Sequence, residues 1–110
     1  MSEQRREYFR LEYPDLFRPV LILSDRNFNV LDVSEYGMRF QAKDLSDFVL
    51  GKTLGANLVF KNKDTLSCDG KIIRLNSVEV AVNLITPIPL HKIRAEHLNI
   101  IQNTRHTMNA

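Results

Sequence analysis

The stretch Tyr36-Gly37-Met38-Arg39-Phe40-Gln41-Ala42-Lys43 places Tyr36, Met38, Phe40 and Ala42 on one side and Arg39, Gln41 and Lys43 on the other. A period of two marks a half-buried β-strand, because successive Cβ atoms point to opposite faces of a sheet. The same period recurs downstream. Leu54, Ala56, Leu58 and Phe60 form one run, Leu66, Cys68 and Ile72 another, and Val78, Val80, Val82 and Leu84 a third. Upstream, residues 17–23 and 28–33 read as two more strands, the second apolar on both faces. The polar clusters Ser24-Asp25-Arg26-Asn27, Lys61-Asn62-Lys63-Asp64 and Asn76-Ser77 separate these runs as turns. Six strands joined through short polar turns predict antiparallel pairing. In one small domain they predict closure into a barrel, which removes exposed edges.

After Thr86-Pro87-Ile88-Pro89 the spacing changes, because Leu90, Ile93, His97 or Leu98, and Ile101 fall on one face at helical intervals. A C-terminal helix of about three turns is expected there, roughly residues 88–103, with its apolar face against the barrel or across a mouth of it. The fold class expected is therefore all-β with a C-terminal helix: a six-stranded antiparallel β-barrel over about residues 15–86, preceded by a flexible, arginine-containing tail over residues 1–10.

Composition narrows the function classes. A chain of 110 residues with 44% hydrophobic and 25% charged residues suits one globular domain. Fifteen Lys and Arg against 13 Asp and Glu leave a net charge of +2, too small to announce a nucleic-acid binder. A barrel gripping single-stranded nucleic acid would need aromatic residues interleaved with basic ones on an exposed face. Here Tyr36, Phe40 and Phe60 fall on the expected core faces and Trp is absent. The single cysteine, Cys68, excludes an intrachain disulfide and any multi-cysteine metal site, which fits a reducing compartment. No apolar run approaches the roughly 18 residues that span a bilayer, and no apolar segment follows the opening charges as in a secretory signal. A cytoplasmic protein without membrane insertion is expected.

Catalytic constellations are weak. Ser46-Asp47-Phe48-Val49-Leu50-Gly51-Lys52-Thr53 ends like a phosphate-binding loop, but Ser46 stands where the first glycine belongs, and a strand rather than a helix follows. His91, His97 and His106 lack the i, i+4 partner that would hold zinc. Cys68 lies on an apolar strand face, as a small buried hydrophobe does. Neither an enzyme nor a resident cofactor is expected.

Two short motifs carry the specific signal. Arg5-Arg6-Glu7-Tyr8-Phe9-Arg10 contains R-x-x-x-R from Arg6 to Arg10. Guanidinium forks suit phosphates and the O6/N7 edge of guanine, since both accept two parallel hydrogen bonds. In extended chain the two arginines stand about 13 Å apart, so they can grip different parts of one ligand. The second motif is Asp32-Val33-Ser34-Glu35-Tyr36-Gly37, or D-x-S-x-x-G. Asp32 and Ser34 are expected on the same side of a strand end, with Val33 turned into the core. A carboxylate can accept from the N1 and N2 donors of guanine. Gly37 permits a positive φ or a close backbone approach.

In this order and spacing the two motifs resemble the PilZ domain, a bacterial receptor for cyclic di-GMP. The resemblance extends over roughly residues 5–84 and includes Phe40, the Gly70-Lys71-Ile72-Ile73-Arg74 strand and the Ala81-Val82-Asn83-Leu84 strand. It implies a single domain over residues 1–110. It also implies that Arg6 and Arg10 clasp the phosphates and stack on or bond the guanines, that Arg5 assists, that Asp32 and Ser34 read guanine, and that Gly37 shapes the loop. Tyr36 departs from the family pattern, where many members carry a smaller residue. The family binds one ligand or an intercalated pair, and residues around Arg5 influence which. The implied partners are cyclic di-GMP and an unidentified downstream protein. The alternative is a PilZ-like adaptor that binds no nucleotide and works through protein contacts alone.

Overall fold

A computed structural model describes residues 9–108, with side chains through Thr104. Seven strands and one helix follow in order: β1 (Leu11–Glu12), β2 (Val20–Leu23), β3 (Arg26–Val33), β4 (Gly37–Gln41), β5 (Thr53–Val59), β6 (Thr65–Asn76), β7 (Glu79–Leu84) and α1 (Leu90–Met108). All pairings are antiparallel, in the order β1-β3-β2-β5-β6-β7-β4, and β4 pairs back onto β3. That last pairing closes a six-stranded barrel, β2 to β7, with β1 added on the flank of β3 through Leu11–Val33 and Glu12–Asp32. No helix among the described residues is long and apolar enough to cross a membrane.

The alternating runs explain the interior. Met38, Phe40, Leu58, Phe60, Cys68, Ile72, Val80, Val82 and Leu84 all point inward, joined by Leu21, Phe28, Val30 and Val33. Phe28, Phe40 and Phe48 meet edge to face or tilted, with centroids 5.3–5.7 Å apart, an arrangement that suits the ring quadrupoles.

Several expectations require correction at the strand ends. Tyr36 is 39% exposed, because it sits in the β3–β4 turn and the strand alternation begins only after it. Val78 is exposed in the β6–β7 turn for the same reason. Phe17 ends a short 3₁₀ turn, Asp15–Phe17, lying between Pro14 and Pro19, so strand β2 starts at Val20. The strand β1 was not expected; it is only two residues long, too short to show a period.

The helix runs beyond its expected end, to Met108, and keeps the expected Ile93 and His97 toward the barrel, with Glu96 and Ile100 beside them in place of Leu98 and Ile101. Ile93, Glu96 and Ile100 are buried and His97 is half-buried, whereas Leu98 and Ile101 are exposed. A charged residue in the contact face misleads a reading by apolar spacing, since Glu96 occupies a position that only its partner makes affordable. The start of α1 is fixed over one end of the barrel. Lys92 bonds Asp64 of the β5–β6 turn at 2.7 Å and lies 4.3 Å above the Phe60 ring.

Candidate functional site

Two β-bulges shape the site. In β3 the register with β4 passes from Val30–Phe40 to Asp32–Arg39 and Val33–Met38, leaving Leu31 without an opposite residue. Phe28 and Val30 face inward, so strict alternation would drive Asp32 into the core as well. The extra residue transfers the inward position to Val33 and turns Asp32 out of the interior. In β6 the register with β7 passes from Ile72–Val82 to Arg74–Ala81, leaving Ile73 as the extra residue. Both bulges border one cleft of about 90 Å³, lined in part by Arg10, Asp32, Ser34, Gly37, Ile73 and Arg74.

Asp32 is the centre of charge in this cleft, although only 2% exposed. Arg39, directly opposite on β4, places Nε and Nη2 each 2.7 Å from Asp32 Oδ2. Its Nη1 lies 2.6 Å from Glu79 Oε1 on β7. Arg10 Nη1 lies 3.6 Å from the same Oδ2 of Asp32. The hydrogen bond to Asp32 raises the Arg39 pKa above its ordinary value, against a smaller opposing effect of burial. A carboxylate this buried would be costly alone, and the two guanidinium groups offset its desolvation.

The turn from Ser34 to Gly37 is closed by the Ser34 N–H donating to the Gly37 carbonyl at 2.9 Å. Gly37 keeps a negative or extended φ; its value lies in close approach, since a Cβ there would stand 3.1 Å from Ser34 Oγ. Of the two openings that glycine allows, the structure uses the second. The backbone also ties this turn to the end of β7 and to the loop that leads into α1: Leu84 N–H donates to the Tyr36 carbonyl and Ile88 N–H to that of Glu35, each at 2.8 Å.

The structure brings Arg10, Asp32, Ser34 and Gly37 together, although the first two stand 22 positions apart in the chain. Arg5 and Arg6 lie outside the described residues. Arg39, Ile73 and Arg74 also line the cleft, although neither motif contains them. Arg39 could have been found from its place on the polar face of the decisive strand, two residues after Gly37. Ile73 and Arg74 both reach the cleft only because the bulge breaks alternation in β6.

The segment carrying Arg10 is also bound to the helix. The Tyr13 hydroxyl donates to Glu96 Oε1 at 2.8 Å in a buried contact. Burial, then the Glu96 charge and the hydrogen bond, push the Tyr13 phenol pKa far above its ordinary value. Phe9 rests on the His97 ring with centroids 5.1 Å apart. Cys68 faces the interior, where burial pushes its thiol pKa up to about 11, as suits a packing residue and not a nucleophile. Residues 46–53 form a loop into β5, with Gly51 at φ 84° and no helix following, so no phosphate-binding loop is built there. Larger open depressions exist, including one of about 660 Å³ lined by Ile22, Gly55, Ser67 and Cys68, but no cationic side chain lines it.

A search of curated proteins finds none that matches the chain. The PilZ domain model matches residues 4–100, a span that holds the closed barrel, both arginine-bearing and aspartate-bearing motifs and half of α1. The chain thus belongs to the PilZ family, whose members are in general cyclic di-GMP-binding adaptor domains.

Proposed function

We propose that this protein is a cyclic di-GMP receptor that alters its surface on binding and acts on a partner protein. The observation that carries the reading is the Arg10–Asp32 ion pair, which joins the end of R-x-x-x-R to the start of D-x-S-x-x-G in one cleft. A cleft of about 90 Å³ is too small to enclose a cyclic dinucleotide. The ligand therefore lies across it, with its guanine edge toward Asp32 and Ser34 and its two phosphate charges toward Arg6 and Arg10, Arg5 assisting. Arg74 adds a further cation at the rim.

The route to a partner runs through α1. Phe9 and Tyr13 flank Arg10 in sequence and both touch the helix, so a change in the Arg10 segment is felt at His97 and Glu96. Leu98 and Ile101 stand exposed on the helix beside these contacts. The output is a surface made of the closed segment, the ligand and this helix. No bond is made or broken in this scheme, and the proposed setting is the cytoplasm.

Titration calorimetry with cyclic di-GMP tests the reading. Each charged hydrogen bond contributes about 1.5–3 kcal/mol, so Arg6→Ala, Arg10→Ala and Asp32→Ala should each weaken binding tenfold or more. Wild-type affinity in all three variants overturns it. Absence of heat from a folded wild-type chain favours the adaptor that binds no nucleotide.

A further inference from the structure

Asp32 has two cationic neighbours that differ in permanence. Arg39 sits within the barrel wall, on the strand opposite Asp32, and is held from behind by Glu79. Its planar fork converges on Asp32 Oδ2 with two nitrogens at 2.7 Å, a geometry that anchors this oxygen and keeps the carboxylate ionised beside a fixed cation. Arg10, at the edge of β1, meets the same oxygen with one nitrogen at the looser distance of 3.6 Å. All three contacts fall on Oδ2, so Oδ1 is the oxygen they leave for another donor. The chain Glu79–Arg39–Asp32 crosses three neighbouring strands, β7, β4 and β3, and ends at the cleft.

We propose that Arg39 is a positioning residue for base recognition: it holds the Asp32 carboxylate aimed into the cleft and remains its counter-ion when Arg10 leaves for a ligand phosphate. The proposal rests on the cyclic di-GMP reading above and adds to it a division of labour. Arg10 serves affinity through charge, whereas Arg39 serves selectivity through aim. Guanine presents the donors N1–H and N2–H₂ to a carboxylate acceptor, while adenine presents an acceptor at N1. A correctly directed Asp32 oxygen accepts from the first and is repelled by the second.

The test compares the affinities of the full-length chain for cyclic di-GMP and cyclic di-AMP by titration calorimetry, for wild type, Arg10→Ala, Arg39→Gln and Arg39→Lys. Arg39→Lys keeps the positive charge beside Asp32 but replaces the two-point fork by a single ammonium, so it guards against a variant that merely fails to fold; melting curves verify each chain. The expected result is that Arg10→Ala weakens both ligands and keeps their ratio, whereas Arg39→Lys and Arg39→Gln reduce the guanine-over-adenine preference about tenfold or more. An unchanged preference in folded Arg39→Lys overturns the role. A wild-type chain that takes up no cyclic di-GMP overturns the functional reading itself, and the wild-type titration alone distinguishes that outcome.

Discussion

The Tyr13 hydroxyl donates to Glu96 Oε1 at 2.8 Å across 83 residues of sequence, joining the segment that follows Arg10 to the C-terminal helix. Both residues are buried, so the bond is made where water cannot replace it. Tyr13→Phe leaves a buried carboxylate without its donor and should destabilise the fold by about 2–3 kcal/mol. Glu96→Gln keeps an acceptor for the hydroxyl and should cost less. Chemical denaturation of the two variants checks this order; a Tyr13→Phe chain as stable as wild type would show that the bond contributes nothing.

The face that α1 turns to the barrel can be tested directly. Ile93 is buried in the same core as the strands, whereas Leu98 is 54% exposed. Ile93→Ala should therefore cost about 2–5 kcal/mol, and Leu98→Ser less than about 0.5 kcal/mol. Equal losses in thermal melts would mean that Leu98 packs against the barrel as closely as Ile93 does.

Two glycines should respond in opposite ways. A Cβ on Gly70 would stand 2.6 Å from both the Asn83 carbonyl oxygen and Val82 Cγ1, where β6 meets β7. Gly70→Ala must push strands apart and should lose about 1–3 kcal/mol of stability. At Gly37 the nearest obstacle is the Ser34 hydroxyl, 3.1 Å away. Gly37→Ala should leave melting nearly unchanged while weakening cyclic di-GMP binding. A binding isotherm identical to wild type would remove the Ser34–Gly37 approach from the site.

Alkaline pH should destabilise the protein through two groups. Burial raises Cys68 from 9.0 to about 11, and raises the Tyr13 phenol above its ordinary 10.0. Both pKa values are higher in the folded state, so the native chain holds these protons longer than the unfolded one. The stabilisation is complete below pH 9 and falls as pH rises, first through Cys68 and then, above pH 10, through Tyr13 as well. Each group adds a slope of up to about 1.4 kcal/mol per pH unit. Urea denaturation from pH 7 to 10.5 should show a flat region followed by a decline, and Cys68→Ala should delay its onset. A decline that begins at the same pH in that variant would assign it to other groups.

The barrel itself was legible because its evidence is local. Met38 and Phe40, or Val80, Val82 and Leu84, repeat at the period of a pleated strand, and polar clusters mark the turns between runs. The motif from Asp32 to Gly37 was legible too, since Asp32 and Ser34 share a face as their spacing requires. The limits of reading appear wherever a long-range partner decides the outcome. Glu96 is buried because Tyr13 meets it there, and no periodicity within the helix could reveal that.

The sequence by itself determined most strand faces, the strand-to-helix order and the guanidinium and carboxylate chemistry of the two motifs, because these depend on side-chain chemistry and on spacing along one segment. The tertiary structure alone decided that Arg39 stands opposite Asp32, that Arg74 and Ile73 both reach the cleft, and that Glu96 packs inward. Each of these follows from register. One extra residue in β3 and one in β6 reverse which side chains face the interior, and the pairing of strands distant in sequence selects where those residues go.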